Sequence, residues 1–124
     1  MRRLVTSLTS ILVILAIFGM FSGTAKAAYP ERPITYVIAF NPGGESDITA
    51  RAQQPHLEKI LGTQAIITYK IGGGGAVGWS EIVRTKPDGY TICGHNIPHI
   101  ILQPLQRKDT GYKTSDINTV CWFE

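Results

Sequence analysis

Two glycine-rich segments hold the residues best suited to chemistry in this chain. The first, at positions 41–47, reads Asn-Pro-Gly-Gly-Glu-Ser-Asp, and the second, at positions 71–76, reads Ile-Gly-Gly-Gly-Gly-Ala. Glycine lets the backbone come close to a ligand, and unpaired N–H groups at the start of a helix favour a negatively charged group. Two such turns side by side would therefore hold a small anion such as a carboxylate.

Both glycine segments stand where a strand should pass into a helix. Runs rich in β-branched and apolar residues, at positions 34–40 and 64–69, precede them, and apolar residues at helical spacing follow. If the two strands are parallel neighbours, both turns lie at the same edge of the sheet. The N–H groups of the turns and the positive ends of two helices would then face one crevice.

The first helix should begin at Ser46 or Asp47, which are good N-cap residues, and run to about Leu61. Gly62 follows as the glycine that ends it. Pro55 lies inside this helix and has no N–H to donate, so we expect a kink or a split there. The second piece should then turn three apolar residues inward: Leu57, Ile60 and Leu61.

The second helix should begin near Gly75 and end before the Pro-Asp-Gly turn at positions 87–89. Its apolar face consists of Ala76, Trp79, Ile82 and Val83. A third strand follows at 90–93, so the chain is predicted to start an α/β fold of the βαβαβ type, with parallel strands joined by right-handed crossovers. The final apolar run, at 119–123, predicts the start of another buried strand.

The first 27 residues have the features of a secretory signal peptide. Arg2 and Arg3 form a positive start, positions 11–21 are uncharged and mostly apolar, and Ala-Lys-Ala at 25–27 supplies a small-x-small cleavage pattern. An uncleaved membrane anchor is the alternative, but this apolar run falls well short of the roughly 20 residues that a spanning helix needs. We therefore expect cleavage, a mature chain that begins at Ala28, and a periplasmic location.

Cleavage also balances the charge of the chain. The full sequence has 12 Lys and Arg against 9 Asp and Glu, and three of the basic residues leave with the signal peptide. These are Arg2, Arg3 and Lys26, so basic and acidic residues become equal in number. A balanced chain has no electrostatic footprint for nucleic acid or anionic lipid, and any preference for an anion must come from a local site.

Other kinds of site lack part of their pattern. Positions 73–78 match G-x-G-x-x-G, but the next strand ends at 92–95 without the acidic residue that would hold a ribose. Cys93, His95 and His99 have no fourth metal ligand near them, and a proline at position 98 disrupts the helical pair. No serine, histidine and carboxylate form a nucleophile motif. We therefore expect no cofactor, no metal and no enzymatic activity.

The two cysteines allow two interpretations. Cys93 and Cys121 would enter an oxidising compartment after export, where they could form a disulfide. Both also lie in apolar, strand-like runs, where a buried free thiol is the alternative. The sequence leaves both interpretations open.

Four short motifs occur in order along the exported part. They are Tyr-Pro-Glu-Arg-Pro-Ile at 29–34, Pro-Gly-Gly-Glu-Ser-Asp-Ile-Thr-Ala-Arg at 42–51, Gly-Gly-Gly-Gly-Ala-Val-Gly at 72–78 and Lys-Pro-Asp-Gly-Tyr-Thr at 86–91. In this order and spacing the chain resembles the Bug-type, TctC-like extracytoplasmic solute receptors of tripartite tricarboxylate transporters. The resemblance implies the first lobe of a type II periplasmic binding protein, whose two turns bind a ligand carboxylate, partly through ordered water, as the lobes close.

The resemblance also assigns ligand-binding residues by position. In the first turn they are Phe40, Pro42, Gly43, Gly44, Ser46 and Asp47, and in the second turn they are Gly72, Gly74, Gly75 and Ala76. The partners that it implies are a small carboxylate and the membrane subunits of a tripartite transporter.

This chain departs from the receptors in two respects. Where they usually have Asn-Arg-Pro before the second turn, it has Tyr-Lys-Ile at 69–71. The absent proline should loosen that turn, and Tyr69 in place of a short amide should change or block the pocket. The receptors are also much longer, so residues 28–124 are expected to be the amino-terminal part of lobe 1, from a truncated protein. The alternatives are a product that binds no ligand and a small nucleotide-binding enzyme.

Overall fold

The computed structural model describes residues 29–121, so the predicted signal peptide at 1–27 lies outside the described residues. Strands alternate with helices along them in this order: β1 (Ile34–Ile38), α1 (Glu45–Leu61), β2 (Ala65–Tyr69), α2 (Ala76–Arg84), β3 (Thr91–Gly94) and α3 (His99–Gln106). Single 3-10 turns lie at Gly73–Gly75 and Thr114–Asp116. Within 29–121, no helix has the length and apolar character needed to cross a bilayer. The predicted βαβαβ order is confirmed.

The three strands form one parallel sheet in the order β2-β1-β3. The central strand β1 pairs Ile38 with Tyr69 of β2 on one side and with Gly94 of β3 on the other. Its sequence, Ile-Thr-Tyr-Val-Ile, consists of β-branched and aromatic residues, which suit extended backbone between two neighbours. The prediction that the first two strands are parallel neighbours is therefore confirmed.

Successive side chains of β1 point in opposite directions, so β1 can pack on both faces of the sheet. Each face is covered by a core cluster. Tyr36 and Ile38 pack with Ala50 of α1 in one core cluster. On the other face, Ala39 packs with Trp79 of α2, whose side chain is 0% exposed. The Trp79 indole N–H also donates to the Gly94 carbonyl oxygen at 3.2 Å. Trp79 therefore ties α2 to the end of β3.

Helix α1 differs from its prediction in two places. Its N-cap is Gly44 rather than either of the two predicted residues, because the Asp47 side chain lies inside the first turn and accepts from the Gly43 N–H. α1 also continues through Pro55 without splitting. Pro55 is exposed, so water can reach the carbonyl that a proline leaves without a donor. Gly62 ends the helix as predicted, with φ +67°.

Two apolar segments predicted to be buried are exposed. Ile60 is 80% exposed, because α1 packs only one side on the sheet, where Leu57 contacts the core. Val120 is 91% exposed, and positions 119–121 form no strand. Among the described residues no strand lies beside that segment to pair with it. The buried strand predicted at 119–123 is therefore wrong for the part that the structure describes, and positions 122–123 lie outside it.

Both cysteines are free thiols, so the disulfide interpretation does not hold in this structure. Cys93 is half-buried in β3, and burial raises its pKa to about 12. Its Sγ lies 3.3 Å from the Gly94 carbonyl oxygen. Cys121 is exposed rather than buried.

The amino ends of β1 and β3 are held by a group of side chains that we call the amino-edge cluster: Tyr29, Arg32, Asp88, Gly89 and Tyr90. The Tyr29 hydroxyl donates to the Gly89 carbonyl at 2.7 Å, and its ring packs edge-on against Tyr90. Arg32 pairs with Asp88 at 3.1 Å and covers the Tyr90 ring, 3.9 Å from its centroid. Two of the four sequence motifs therefore join here.

Candidate functional site

The opposite edge of the sheet, where the strands end, brings three loops together. β1 and β2 end in register at Ile38 and Tyr69, and β3 ends at Gly94 beside Ile38. The first glycine turn follows β1, the second follows β2, and a third loop at 95–98 follows β3. The two glycine turns therefore leave the same edge of a parallel sheet, which we call the carboxyl edge.

Two backbone N–H groups of the first glycine turn already have acceptors within the same turn. The Gly43 N–H donates to Asp47 Oδ2 at 2.7 Å, and the Gly44 N–H donates to the Asn41 carbonyl at 3.2 Å. The N–H groups of Glu45 and Ser46, at the start of α1, have no acceptor among residues 29–121. The donors that remain for an anion are thus at the helix start rather than at the glycines.

Asp47 is the buried charge of the carboxyl edge, with 4% of the residue exposed. Its Oδ1 accepts from the Tyr69 hydroxyl at 2.7 Å and lies 2.9 Å from Arg51 Nε, one turn further along α1. The Gly43 N–H, the Tyr69 hydroxyl and the Arg51 guanidinium all favour the carboxylate, so the pKa of Asp47 lies below its usual value. Asp47 is therefore a negative charge that the protein has already neutralised.

The second glycine turn has an unusual backbone, because all four residues from Gly72 to Gly75 have positive φ. The Gly72 carbonyl accepts from the N–H of Gly75 at 3.0 Å, whereas the N–H groups of Gly73 and Gly74 have no acceptor within the described range 29–121. A Cβ built on Gly75 would lie 2.6 Å from the Trp79 ring. Only glycine fits there, since both the backbone angle and the buried indole exclude a side chain.

Helix α3 and the residues on either side of it add three residues that sequence reasoning missed. Asn96 lies at the start of α1, where its Oδ1 accepts from the Ser46 hydroxyl at 3.3 Å. Gln103 Nε2 donates to the Gly74 carbonyl, and Arg107 Nη1 donates to the Gly73 carbonyl at 3.0 Å. Asn96 could have been found from the sequence, because it lies two residues after the end of β3 and so at the same edge as both turns. Nothing in the sequence places Gln103 or Arg107 beside the second turn.

The predicted site residues divide by burial. The exposed or half-buried members are Phe40, Pro42, Gly43, Gly44, Ser46, Gly72 and Gly74. The buried members are Asp47, Gly75 and Ala76. Of the first group, Phe40 packs against the rings of Trp79 and His99, with centroids 5.9 and 6.2 Å away. The buried members hold the turns in shape, and the accessible ones form the surface that a ligand could reach.

Cys93, His95 and His99 do not form a metal cluster. Within 29–121, no three His, Cys, Asp or Glu side chains are grouped closely enough to hold an ion. His95 instead lies 3.3 Å from the Thr119 hydroxyl through Nε2, and burial lowers its pKa. His99 contacts Phe40. The chemistry that the described residues of this edge offer is hydrogen bonding from backbone N–H groups.

Most residues of the two glycine turns at the carboxyl edge are exposed. Two depressions in the described part of the molecule are lined by other residues, one by Arg107 to Lys113 with Pro104 and Asp116, the other by Gln64 to Ile67 and three residues of α1. Neither is lined by the glycine turns. A ligand held by the turns alone would therefore remain exposed to water on its outer side.

Comparison with known proteins identifies the same fold and motifs elsewhere. A family model described as the tripartite tricarboxylate transporter family receptor, TctC, matches residues 49–123. Protein BugT of Bordetella pertussis is 35% identical over 86 residues, covering 64% of this chain and 26% of BugT. A protein of Cupriavidus necator from the gbd 5′ region is 32% identical over 108 residues, covering 85% of this chain and 33% of that one.

Among solved structures, the periplasmic binding protein BugD matches with a TM-score of 0.65 and 34% identity, covering 69% of this chain and 28% of BugD. An R. palustris protein solved with adipate matches with a TM-score of 0.62 and 26% identity, covering 71% and 29%. The chain thus spans about a quarter to a third of the length of these relatives. With a family model that covers more than half of it, the chain belongs to the TctC family, the receptors of tripartite tricarboxylate transporters.

Proposed function

We propose that this chain contributes the carboxylate-binding edge of a periplasmic solute receptor, which captures a small carboxylate and delivers it to the membrane subunits of a tripartite transporter. One observation supports the proposal above all. Backbone N–H groups without acceptors among the described residues occur in both turns of one sheet edge, at Glu45 and Ser46 and at Gly73 and Gly74.

Electrostatics at this edge favour an anion. The start of α1 contributes the positive end of a helix dipole, and the one buried carboxylate nearby, Asp47, is paired with Arg51. Arg107 adds a positive charge beside the Gly73 carbonyl. The solved relative with adipate is a family member that holds a dicarboxylate. A dicarboxylate is therefore the first ligand class to test.

The second candidate is a chain that does not bind carboxylates by itself, and different observations support it. Gly43 and Gly44 already use their N–H groups within the chain, and most residues of both glycine turns are exposed. The chain also spans only about a quarter to a third of its relatives. A ligand that is enclosed on one side loses much of the contact that receptors use. The alternative is thus a chain that does not bind carboxylates by itself.

The test is a calorimetric titration of the full chain with adipate, with the uncharged diamide of adipate as the ligand control. We expect adipate to bind with a dissociation constant in the millimolar range, because one side stays in water, and the diamide not to bind. Gly43→Val should weaken adipate binding at least about tenfold, since at Gly43 a side chain would enter the open space above the turn.

Gly62→Val is the matched control variant. Gly62 has φ +67° and Gly43 has φ +79°, and a Cβ at either position meets nothing within 4 Å. Both substitutions therefore impose similar backbone strain, but Gly62 lies at the far end of α1. Equal adipate affinity in the two variants would contradict the proposal, and no heat with any carboxylate in the unmodified chain would favour the second candidate.

A further inference from the structure

Tyr69, the first of the three residues that depart from the usual family pattern, lies between the two glycine turns. It is the last residue of β2, and its side chain is half-buried. The Tyr69 hydroxyl donates to Asp47 Oδ1 at 2.7 Å and accepts from Arg51 Nη2 at 2.7 Å. The phenol therefore reaches away from the second turn and contacts the first helix.

These contacts continue into the first turn. Asp47 binds Tyr69 and Arg51 through Oδ1, and through Oδ2 it accepts from the Gly43 N–H at 2.7 Å. Both carboxylate oxygens are thus in use, which fixes the orientation of the Asp47 side chain. A continuous chain of hydrogen bonds runs from the end of β2 to the backbone of the first glycine turn.

We infer that Tyr69 is a positioning residue, a brace that holds Asp47 and through it the Gly43 N–H, so that the first turn keeps its open shape for a carboxylate. The inference rests on the proposed function, since it assigns the incoming carboxylate to the N–H groups that remain, at Glu45 and Ser46. The expectation that this tyrosine blocks the pocket is replaced by a supporting role.

The charges in this group are consistent with a brace. The hydrogen bond to Asp47 raises the pKa of Tyr69 above its usual value, while the Gly43 N–H and then the Tyr69 hydroxyl lower the pKa of Asp47. Around neutral pH the phenol is a donor and the carboxylate is an acceptor. With Arg51 paired to the same carboxylate, the charge of Asp47 is balanced, and Glu45 is the other acidic residue in the first turn of α1.

Tyr69→Phe tests the inference by removing one hydroxyl and keeping the ring. In the full chain without ligand, we expect the Gly43 amide proton resonance to move upfield, because Asp47 is no longer held against it. Adipate affinity should fall about three- to tenfold, the effect of one hydrogen bond. In Asp47→Asn, the pKa of Tyr69 measured by carbon-13 NMR should fall, because the carboxylate acceptor is gone.

Tyr29→Phe is the matched control, since the Tyr29 hydroxyl also donates at 2.7 Å, but to Gly89 at the amino edge. It should move neither the Gly43 resonance nor adipate affinity. A Gly43 resonance that is unchanged in Tyr69→Phe would overturn the inference, and so would unchanged affinity in a protein that binds adipate. If the unmodified chain binds no adipate, the proposed function fails separately, and the Gly43 resonance alone decides whether Tyr69 is a brace.

Discussion

The amino edge and the carboxyl edge of the sheet differ in how their polar groups are paired. At the amino edge, exposed or partly exposed side chains have partners within the chain: Tyr29 donates to the Gly89 carbonyl, and Arg32 pairs with Asp88. At the carboxyl edge, side chains also pair, as in the Asp47 group and between Asn96 and Ser46, but backbone N–H groups of both turns are left without acceptors among the described residues. The polar side chains of the amino edge are thus paired within the chain, whereas the carboxyl edge keeps backbone donors that, under the proposed function, a ligand would use.

This difference divides the four motifs that carry the family resemblance. The motifs at 29–34 and 86–91 meet at the amino edge and serve the fold, while those at 42–51 and 72–78 meet at the carboxyl edge. A match to all four therefore reports shared architecture as much as a shared site. Under the proposed function, only the second pair bears on what is bound.

The largest expected difference between the edges concerns two glycines with positive φ. Gly75→Ala should destabilise the chain by about 2–5 kcal/mol, the sum of backbone strain and an overpacked core. A Cβ at Gly75 would lie 2.6 Å from Trp79, which is fully buried and has no room to move. Urea unfolding followed by tryptophan fluorescence measures the change in the free energy of unfolding.

Gly89→Ala is the counterpart at the amino edge. Its φ is +83°, and its Cβ would lie 3.1 Å from the Tyr29 ring, which is 54% exposed as a residue and can move aside. Only the strain of about 1–2 kcal/mol should remain. Equal losses in the two variants would show that Trp79 does not confine the second turn.

An intermediate effect is expected from pH, through Asp47. Because the folded pKa of this group lies below its value in the unfolded chain, its contribution to stability is present above about pH 4 and is lost as the pH falls through the lowered pKa. Asp47→Asn should be less stable than the unmodified chain near neutral pH and should lose less stability on acidification. Urea unfolding midpoints of the two proteins at about pH 6 and about pH 3 measure the loss of stability and its change on acidification. Identical acid sensitivity in the two proteins would argue against a stabilising contact between Asp47 and Arg51.

The smallest effect should come from the exposed ion pair of the amino-edge cluster. Arg32→Ala removes the contact to Asp88 and the stacking on Tyr90, yet the Arg32 side chain is 59% exposed. Exposed ion pairs contribute about 1 kcal/mol or less, and an exposed cation–π contact about as much. We expect a loss of about 1 kcal/mol in the free energy of unfolding, and adipate binding should not change. A larger loss would mean that the amino edge is essential to the sheet.

The sequence predicted the order and direction of the strands because local patterns determine them. The alternation in β1, the glycines after β1 and β2, and Gly62 at the end of α1 each reflect a preference of a few adjacent residues. Parallel pairing then followed from the short connections. The edge at which both turns meet could be predicted for the same reason.

The contacts within the site could not be predicted in this way, because they join residues distant in sequence. The hydrogen bond from Gln103 to Gly74 and that from Tyr69 to Asp47 depend on where the helices pack. The helix cap was misassigned for a local reason, since the Asp47 side chain accepts from the Gly43 N–H from inside the first turn and the N-cap is Gly44. The apolar run at 119–121 was misread because composition alone does not supply a neighbouring strand.

The central position of β1 has a consequence for the order in which the chain can assemble. β1 is the first of the three described strands to be synthesised, yet Thr35 pairs with Ile66 on one side and with Thr91 on the other. The side of β1 that pairs with β3 has no partner until most of the described chain has been synthesised. Contacts between residues so far apart in sequence close slowly, since a long loop must be ordered before they form. The earliest strand is thus the last to be completed, and folding of this sheet has to wait for β3.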